Sequence, residues 1–415
     1  DQEGDVMSVF WNKNDTTRQL LHGSTILEVP ASGGSGNVSN WNSTQIFDIN
    51  NDIDCLGDMY LEIALDGSDV TTGGAKRFKF PPQIIASFIQ RVEFQVGTQI
   101  WQTLENQDIM ALAATEMSEG VYNEFCHQVS GRFLGDGTNL HTDYDTSISK
   151  FSDAVVSSTG AQQYLDRIAY IPLKMFTKSI APELQHYSEK AEGGYLMAAA
   201  PNQQVKIKVF ITGQPTAADL GDADNQLADT ALKPNVRLYA KNIVMCNEER
   251  EQMKAMPMGI PKRIKTTQNA SANVDTKGPV QVVDIDHFSL YASHLLITFP
   301  KTLYNKIASV ELLLNSSSFS GELPISLLEI ISSSMNLYNN NYIVNGVDVD
   351  TYDTIVFPLA SRAYSGSSVP LNRFDNIRLK IRHSNSAANA GAFNVTCVGE
   401  TTALYKGGAA SLAMY

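Results

Sequence analysis

The nine residues Ile89-Gln-Arg-Val-Glu-Phe-Gln-Val-Gly97 and Ile307-Ala-Ser-Val-Glu-Leu-Leu-Leu-Asn315 share one pattern, Ile-x-x-Val-Glu-apolar-x-apolar-turn. In the first copy Val92, Phe94 and Val96 alternate with polar residues, which places one face of a strand in a core and the other outside. Two further echoes follow in the same order. Tyr170-Ile-Pro-Leu173 is matched by Val356-Phe-Pro-Leu359, and Gln204-Val-Lys-Ile-Lys-Val209 by Asn376-Ile-Arg-Leu-Lys-Ile381. Ordered recurrence of three strands points to duplication of a whole β-domain.

A chain of 415 residues is too long for one ordinary core, so two domains of roughly 200 residues are expected. Met59 to Leu65, Val205 to Ile211, Val236 to Ile243, Phe288 to Phe299, Val310 to Leu314 and Ile377 to Ile381 also read as strands, most bounded by turn residues. Helices are few. Thr103 to Met117 carries one apolar stripe, and a short helix starts at Asn247 with Pro257 beyond its end. The expected fold is all-β: two tandem eight-stranded jelly-roll β-sandwiches with a few short inserted helices. Residues 1–43 form an arm with the first strand or strands, 44–212 the first roll, 213–234 an acidic linker and 235–415 the second roll. Residues 131–160 and 316–352 are expected as long surface loops.

Charge excludes one class of partner. With 31 Lys and Arg against 44 Asp and Glu, the net charge of -13 leaves no broad cationic surface to neutralise phosphates. Direct sequence-specific binding of nucleic acid is not expected. Cys55, Cys126, Cys246 and Cys397 stand singly and read as free buried thiols, and no apolar run is long enough to span a bilayer. The chain reads as soluble and unsecreted.

Candidate chemical sites each yield to a plainer reading. His141, Asp143 and Asp145 lack the ligand order of a calcium loop, and Asp219, Asp222 and Asp224 read as a solvated acidic segment. Cys126 and His127 are sequence neighbours whose side chains diverge, and the chain holds no nucleophile elbow, phosphate loop or dinucleotide fingerprint. No catalytic residue, cofactor or metal is assigned, and the chain reads as a non-enzyme. Six sequons, at Asn14, Asn37, Asn42, Asn269, Asn315 and Asn394, are candidate N-glycosylation positions. The basic cluster Pro261-Lys-Arg-Ile-Lys265 reads as a strand edge or as a contact for an acidic neighbour.

Motif order carries a resemblance. Asn51-Asp-Ile-Asp-Cys-Leu-Gly-Asp-Met-Tyr-Leu-Glu-Ile63, Arg91 to Gln99, Tyr170 to Leu173, Gln204 to Phe210, Val236 to Met256, Val310 to Asn315, Leu371-Asn-Arg-Phe-Asp-Asn-Ile-Arg-Leu379 and the tail Tyr405 to Tyr415 follow one another. In that order they resemble the double jelly-roll major capsid proteins of nucleocytoplasmic large DNA viruses, of phycodnavirus or mimivirus type. The resemblance implies a homotrimer with six similar lobes, tiling an icosahedral shell beside other capsomers and minor capsid or cement proteins. An internal membrane would be met only indirectly. It implies a place in the virion, after assembly in the host cytoplasm. The alternative is a lectin-like or spike protein on tandem sandwiches, with Trp41 and Trp101 as sugar platforms.

Overall fold

A computed structural model describes residues 23–413 apart from 33–39, 50–52, 67–75, 80–82, 131–152, 157–167, 174, 176–194, 217–232, 246, 248–249, 252–259, 276–277, 286–287, 336, 345–346, 349, 361–367 and 384–389. Asn14, Asn37, Cys246, the His141 to Asp145 cluster and Asp219 to Asp224 lie outside the described residues.

Sixteen strands form the shared frame of two sandwiches, and the short strands Leu323–Pro324, Val369–Pro370 and Ala409–Ala413 are added to the sheets of the second. In the first half the frame strands are β1 (Gly23–Val29), β2 (Thr44–Ile49), β3 (Cys55–Asp66), β4 (Ile89–Val96), β5 (Gln99–Glu105), β6 (Ile168–Leu173), β7 (Val205–Ile211) and β8 (Lys233–Val244). The second half supplies β9 (Ile260–Val274), β10 (Val280–Asp284), β11 (Tyr291–Pro300), β12 (Ile307–Leu314), β13 (Ser317–Ser318), β14 (Tyr352–Pro358), β15 (Ile377–His383) and β16 (Gly391–Lys406).

The pairing order is the same in both halves. The first half pairs β1-β8-β3-β6 in one sheet and β2-β7-β4-β5 in the other. In the second half the order is β9-β16-β11-β14 and β10-β15-β12-β13, each strand eight places further on. Two four-stranded antiparallel sheets with these crossings form a jelly roll, written twice. The three sequence echoes fall on equivalent strands: β4 with β12, β6 with β14, and β7 with β15. Irregularities are duplicated as well. The register of β4 against β7 shifts between Ile89 and Arg91, and that of β12 against β15 shifts between Ile307 and Ser309. An extra residue also interrupts the start of β3 and of β11 where they face β8 and β16.

Each sandwich follows from period-two patterning. Val205, Ile207, Val209 and Ile211 of β7 point into the first core while Lys206, Lys208 and Phe210 point outward. The second core gathers Leu295, Ile297 and Phe299 with Val310, Leu312, Leu379 and Ile381. Fully burying each such aliphatic side chain stabilises by about 1.5–3 kcal/mol.

Two boundaries differ from the sequence reading. Lys233–Val244 pairs with both β1 and β3, so it closes the first roll, and the second roll begins after it rather than at residue 235. The strands on either side of the mostly undescribed residues 213–232, β7 and β8, therefore belong to one roll. An alternating strand after a polar stretch looks the same from sequence whether it closes one domain or opens the next. The expected loop 316–352 contains a helix, Ile325–Ser334.

Candidate functional site: the seam between the rolls

The most elaborate polar construction among the described residues is the seam that joins the two rolls, and it is built around α1 (Asn106–Glu116). The helix starts directly after β5. Glu105 donates its backbone N–H to Asp108 Oδ2 at 2.7 Å, a reach-back that satisfies one donor at the helix start. Ile109 to Thr115 are all buried, because α1 lies between its own roll and strands β11, β14 and β16 of the other. A helix covered on both sides needs apolar or small residues all round. Its sequence accordingly reads Ile-Met-Ala-Leu-Ala-Ala-Thr.

Asp108 is the hub. It is fully buried and accepts hydrogen bonds from Asn394 Nδ2 at 2.9 Å, from the Thr396 hydroxyl and from Asn269 Nδ2, all in the second roll. Burial raises its carboxyl to about 7, against the lowering effect of the Thr396, Glu105 and Asn394 donors. His294 is buried in β11, with Nδ1 2.8 Å from the Ser293 hydroxyl, and burial lowers it to about 3. It stays neutral across the physiological range.

Other polar ties cross the same boundary. Lys265 of β9 forms an ion pair with Glu116 at the end of α1, both side chains being largely buried. Gln102 of β5 donates to Thr267 Oγ1 at 2.8 Å. The carbonyls that α1 leaves open at its C-terminus are taken up by the second half. Tyr338 N–H reaches Thr115 O at 2.8 Å, while Asn340 Nδ2 reaches Ala114 O at 3.0 Å and Met117 O at 2.7 Å. Beyond α1, a second helix, α2 (Glu119–Val129), places Tyr122, whose hydroxyl donates to Asp350 Oδ1 at 3.1 Å. Gln83 donates to the same carboxylate.

Apolar contacts make the seam continuous with the first core. Ile264, Leu296, Val356, Val398 and Tyr405 of the second roll join the cluster that includes Leu104, Leu112 and Tyr195. Tyr195 lies 5.4 Å from both Trp101 and Tyr405, centroid to centroid, and the Tyr405 hydroxyl accepts from Leu196 N–H at 3.2 Å. Desolvated hydrogen bonds and ion pairs of this kind, set beside apolar packing, hold two domains in one relative position.

The residues singled out from sequence fare unequally. Asp54, in the Asn51 to Ile63 motif, has a structural job: its carboxylate accepts from Met245 N–H at 3.0 Å and from Arg250 at 2.6 Å, tying the inter-roll connection to the start of β3. Lys265, from the basic cluster, does meet an acid, but one in its own chain. Cys55, Cys126 and Cys397 are buried thiols that form no disulfide, and burial pushes the Cys126 thiol up to about 12. Cys126 and His127 sit on α2 rather than on an extended segment. Of the sequon positions, Asn394 is fully buried and Asn269 half-buried, and both donate to Asp108 within the seam. Asn42 and Asn315 are exposed in turns of positive φ. Trp101 is buried and Trp41 packs edge-on against Phe88 at 5.2 Å, so neither is a free sugar platform. Among the described residues no cluster of His, Cys, Asp and Glu could hold a metal ion. Asp108 belongs to none of the sequence motifs. Its reach-back to Glu105 was the one local signal.

No protein-family model and no curated protein matches the sequence. Solved structures do match over nearly the whole chain. The PBCV-1 virus capsid quasi-atomic model has a TM-score of 0.66 at 14% identity, covering 97% of this chain and 99% of that one. The Faustovirus major capsid protein gives 0.58 at 10% identity, covering 93% and 92%. The 3.5 Å Sputnik virophage structure gives 0.52 at 13% identity, covering 97% and 91%. The class is thus defined: an all-β protein of two tandem jelly rolls. Its fold is that of the viral major capsid proteins.

Proposed function

We propose that this chain is the major capsid protein of a large icosahedral DNA virus, and that three copies close into a ring of six similar rolls. The observation that carries this reading is the rigid doubling. Two rolls with the same strand order and matching bulges are locked together by a buried polar and apolar seam. A doubled unit offers two near-equivalent edges from one polypeptide, and a threefold ring of such units tiles almost hexagonally. An enzyme or a sugar-binding module has no need for a second, fixed copy of its scaffold. The fold likeness to capsid proteins supports the same assignment, and so does the net charge of -13, which suits a shell wall better than a genome-gripping surface.

In this reading the chain resides in the virion shell after assembly in the host cytoplasm, and its neighbours are other capsomers and minor capsid or cement proteins. Asn42 and Asn315 are the described sequons available for sugars.

Native mass spectrometry tests the assignment. The expected species is about 136 kDa, three chains of 45.4 kDa, persisting on dilution and roughly hexagonal in electron micrographs. A monomer that binds glycans would overturn it.

A further inference from the structure

The duplication makes a comparison possible between α1 and the helix of the second roll, α3 (Ile325–Ser334). Both leave their sheets at the same register. Glu105, which precedes α1, pairs with Arg91, the residue after the β4 bulge. Pro324, which precedes α3, pairs with Ser309, the residue after the β12 bulge. Leu104 and Leu323 pair with Val92 and Val310 in the same way. Counting on from these caps, Asp108 corresponds to Leu327, Ile109 to Leu328, Ala111 to Ile330 and Thr115 to Ser334.

Burial divides these pairs by face. Ile109 and Leu328 both point into their own roll and are buried. Asp108, Ala111 and Thr115 form the face that the second roll covers, with exposures of 0%, 1% and 0%. Their counterparts Leu327 and Ile330 are 40% and 68% exposed, and Ser334 is exposed too. A bare Leu and Ile one turn apart on a helix whose duplicate is covered at those positions form half of an interface.

The other half is also present. Matching Tyr170 with Val356 aligns the sheet β1-β8-β3-β6 with β9-β16-β11-β14. Thr396 then corresponds to Arg237, Val398 to Tyr239 and His294 to Tyr60. In the second roll these outward positions are buried beneath α1 and its surroundings. In the first roll Tyr60, Arg237 and Tyr239 are only half-buried, and Tyr170 is 43% exposed. Tyr and Arg are the side chains favoured at the centres of protein interfaces.

We infer that α3 of one copy docks through Leu327 and Ile330 on the outer face of the β1-β8-β3-β6 sheet of a second copy, repeating between chains the seam that α1 makes within one. The contact is head-to-tail, so each chain offers a helix on one side and a sheet on the other, and such contacts close into rings. This inference rests on the trimer reading above and names the surface that forms it.

Two experiments test it. Leu327→Asp with Ile330→Asp changes residues already exposed within one chain, so circular dichroism and the unfolding temperature should match the parent protein. The concentration at which trimer gives way to monomer should rise by roughly 100-fold or more, as for loss of an interface centre. In the second, Leu327→Cys with Arg237→Cys copies the Asp108 to Thr396 contact, and mild oxidation should give chains linked to one another on a non-reducing gel. Undisturbed trimers in the Asp variant, or no link between chains, would overturn the docking surface while leaving the capsid assignment standing. A parent protein that is monomeric at every concentration would overturn both.

Discussion

Asp108 and Asn394 lie 286 residues apart in the chain, yet the amide of one donates to the buried carboxyl of the other at 2.9 Å. With Thr396 and Asn269 on the same carboxyl, a single side chain in the first roll fixes two neighbouring strands of the second. Asp108→Ala would leave the buried Asn394 and Thr396 side chains and the half-buried Asn269 amide without this acceptor. The expected loss of stability is about 3 kcal/mol or more, since each buried polar group left unpaired costs about 1–3 kcal/mol. Chemical denaturation of the variant against the parent measures it, and a loss below 1 kcal/mol would show that the network does not hold the seam.

The seam also carries two opposed titrations. Burial raises Asp108 from 3.8 to about 7, so on acidification from pH 7 to 4 the folded chain binds a proton that the unfolded chain does not. That stabilises the fold by up to about 4 kcal/mol. His294 is lowered from 6.5 to about 3, so over pH 6.5 to 3 the unfolded chain binds the extra proton and stability falls by a similar amount. Between about pH 4 and 6.5 the two effects oppose. Asp108→Asn should make stability fall more steeply on acidification than in the parent, and His294→Gln should tilt it the other way. Unfolding midpoints from pH 4 to 7 give both slopes, and parallel curves for all three proteins would refute the assignment.

Lys265 and Glu116 give a test of how a buried ion pair contributes. Lys265→Ala removes the ammonium group beside the largely buried Glu116 carboxylate, with an expected cost of about 3–5 kcal/mol. Replacing both, Lys265→Met with Glu116→Leu, should restore most of that stability, because desolvating two charges offsets much of what their attraction supplies. A double-mutant cycle in urea reads the difference.

Two glycines should respond in opposite directions. A Cβ on Gly399 would stand 2.4 Å from the Tyr291 carbonyl oxygen, where the extra residue of β11 brings two backbones together. Gly399→Ala is expected to destabilise by about 2 kcal/mol or more, since neither strand can move aside. Gly120, in the first turn of α2, has open space around its Cβ position. Gly120→Ala should be neutral or stabilise by up to about 1 kcal/mol. Thermal unfolding of the pair separates close approach from chain entropy.

Much of the fold was legible because a strand writes its own burial pattern. The repeated Ile-x-x-Val-Glu segment marked β4 and β12, and the other two echoes marked β6 with β14 and β7 with β15. The Glu of that repeat faces equivalent lysines, Lys208 and Lys380, but its ion pairs diverge: Glu311 binds Lys380 at 2.7 Å, whereas Glu93 binds Arg91 at 2.9 Å. What failed to show was anything decided by a distant partner. The two-residue β13 is too short for a pattern, the Lys233–Val244 strand carries no sign of which roll it closes, and nothing near Asn269 or Asn394 in sequence points to Asp108.

The sequence by itself determined the class of element, its duplication and the inward faces of its strands, because these depend on residue spacing along one segment. Only the tertiary structure decided that Asp108 is buried while Leu327, at the same place in the second copy, is bare. The reason is physical: whether a helix face is core or surface depends on what lies against it, and here that neighbour is the other roll.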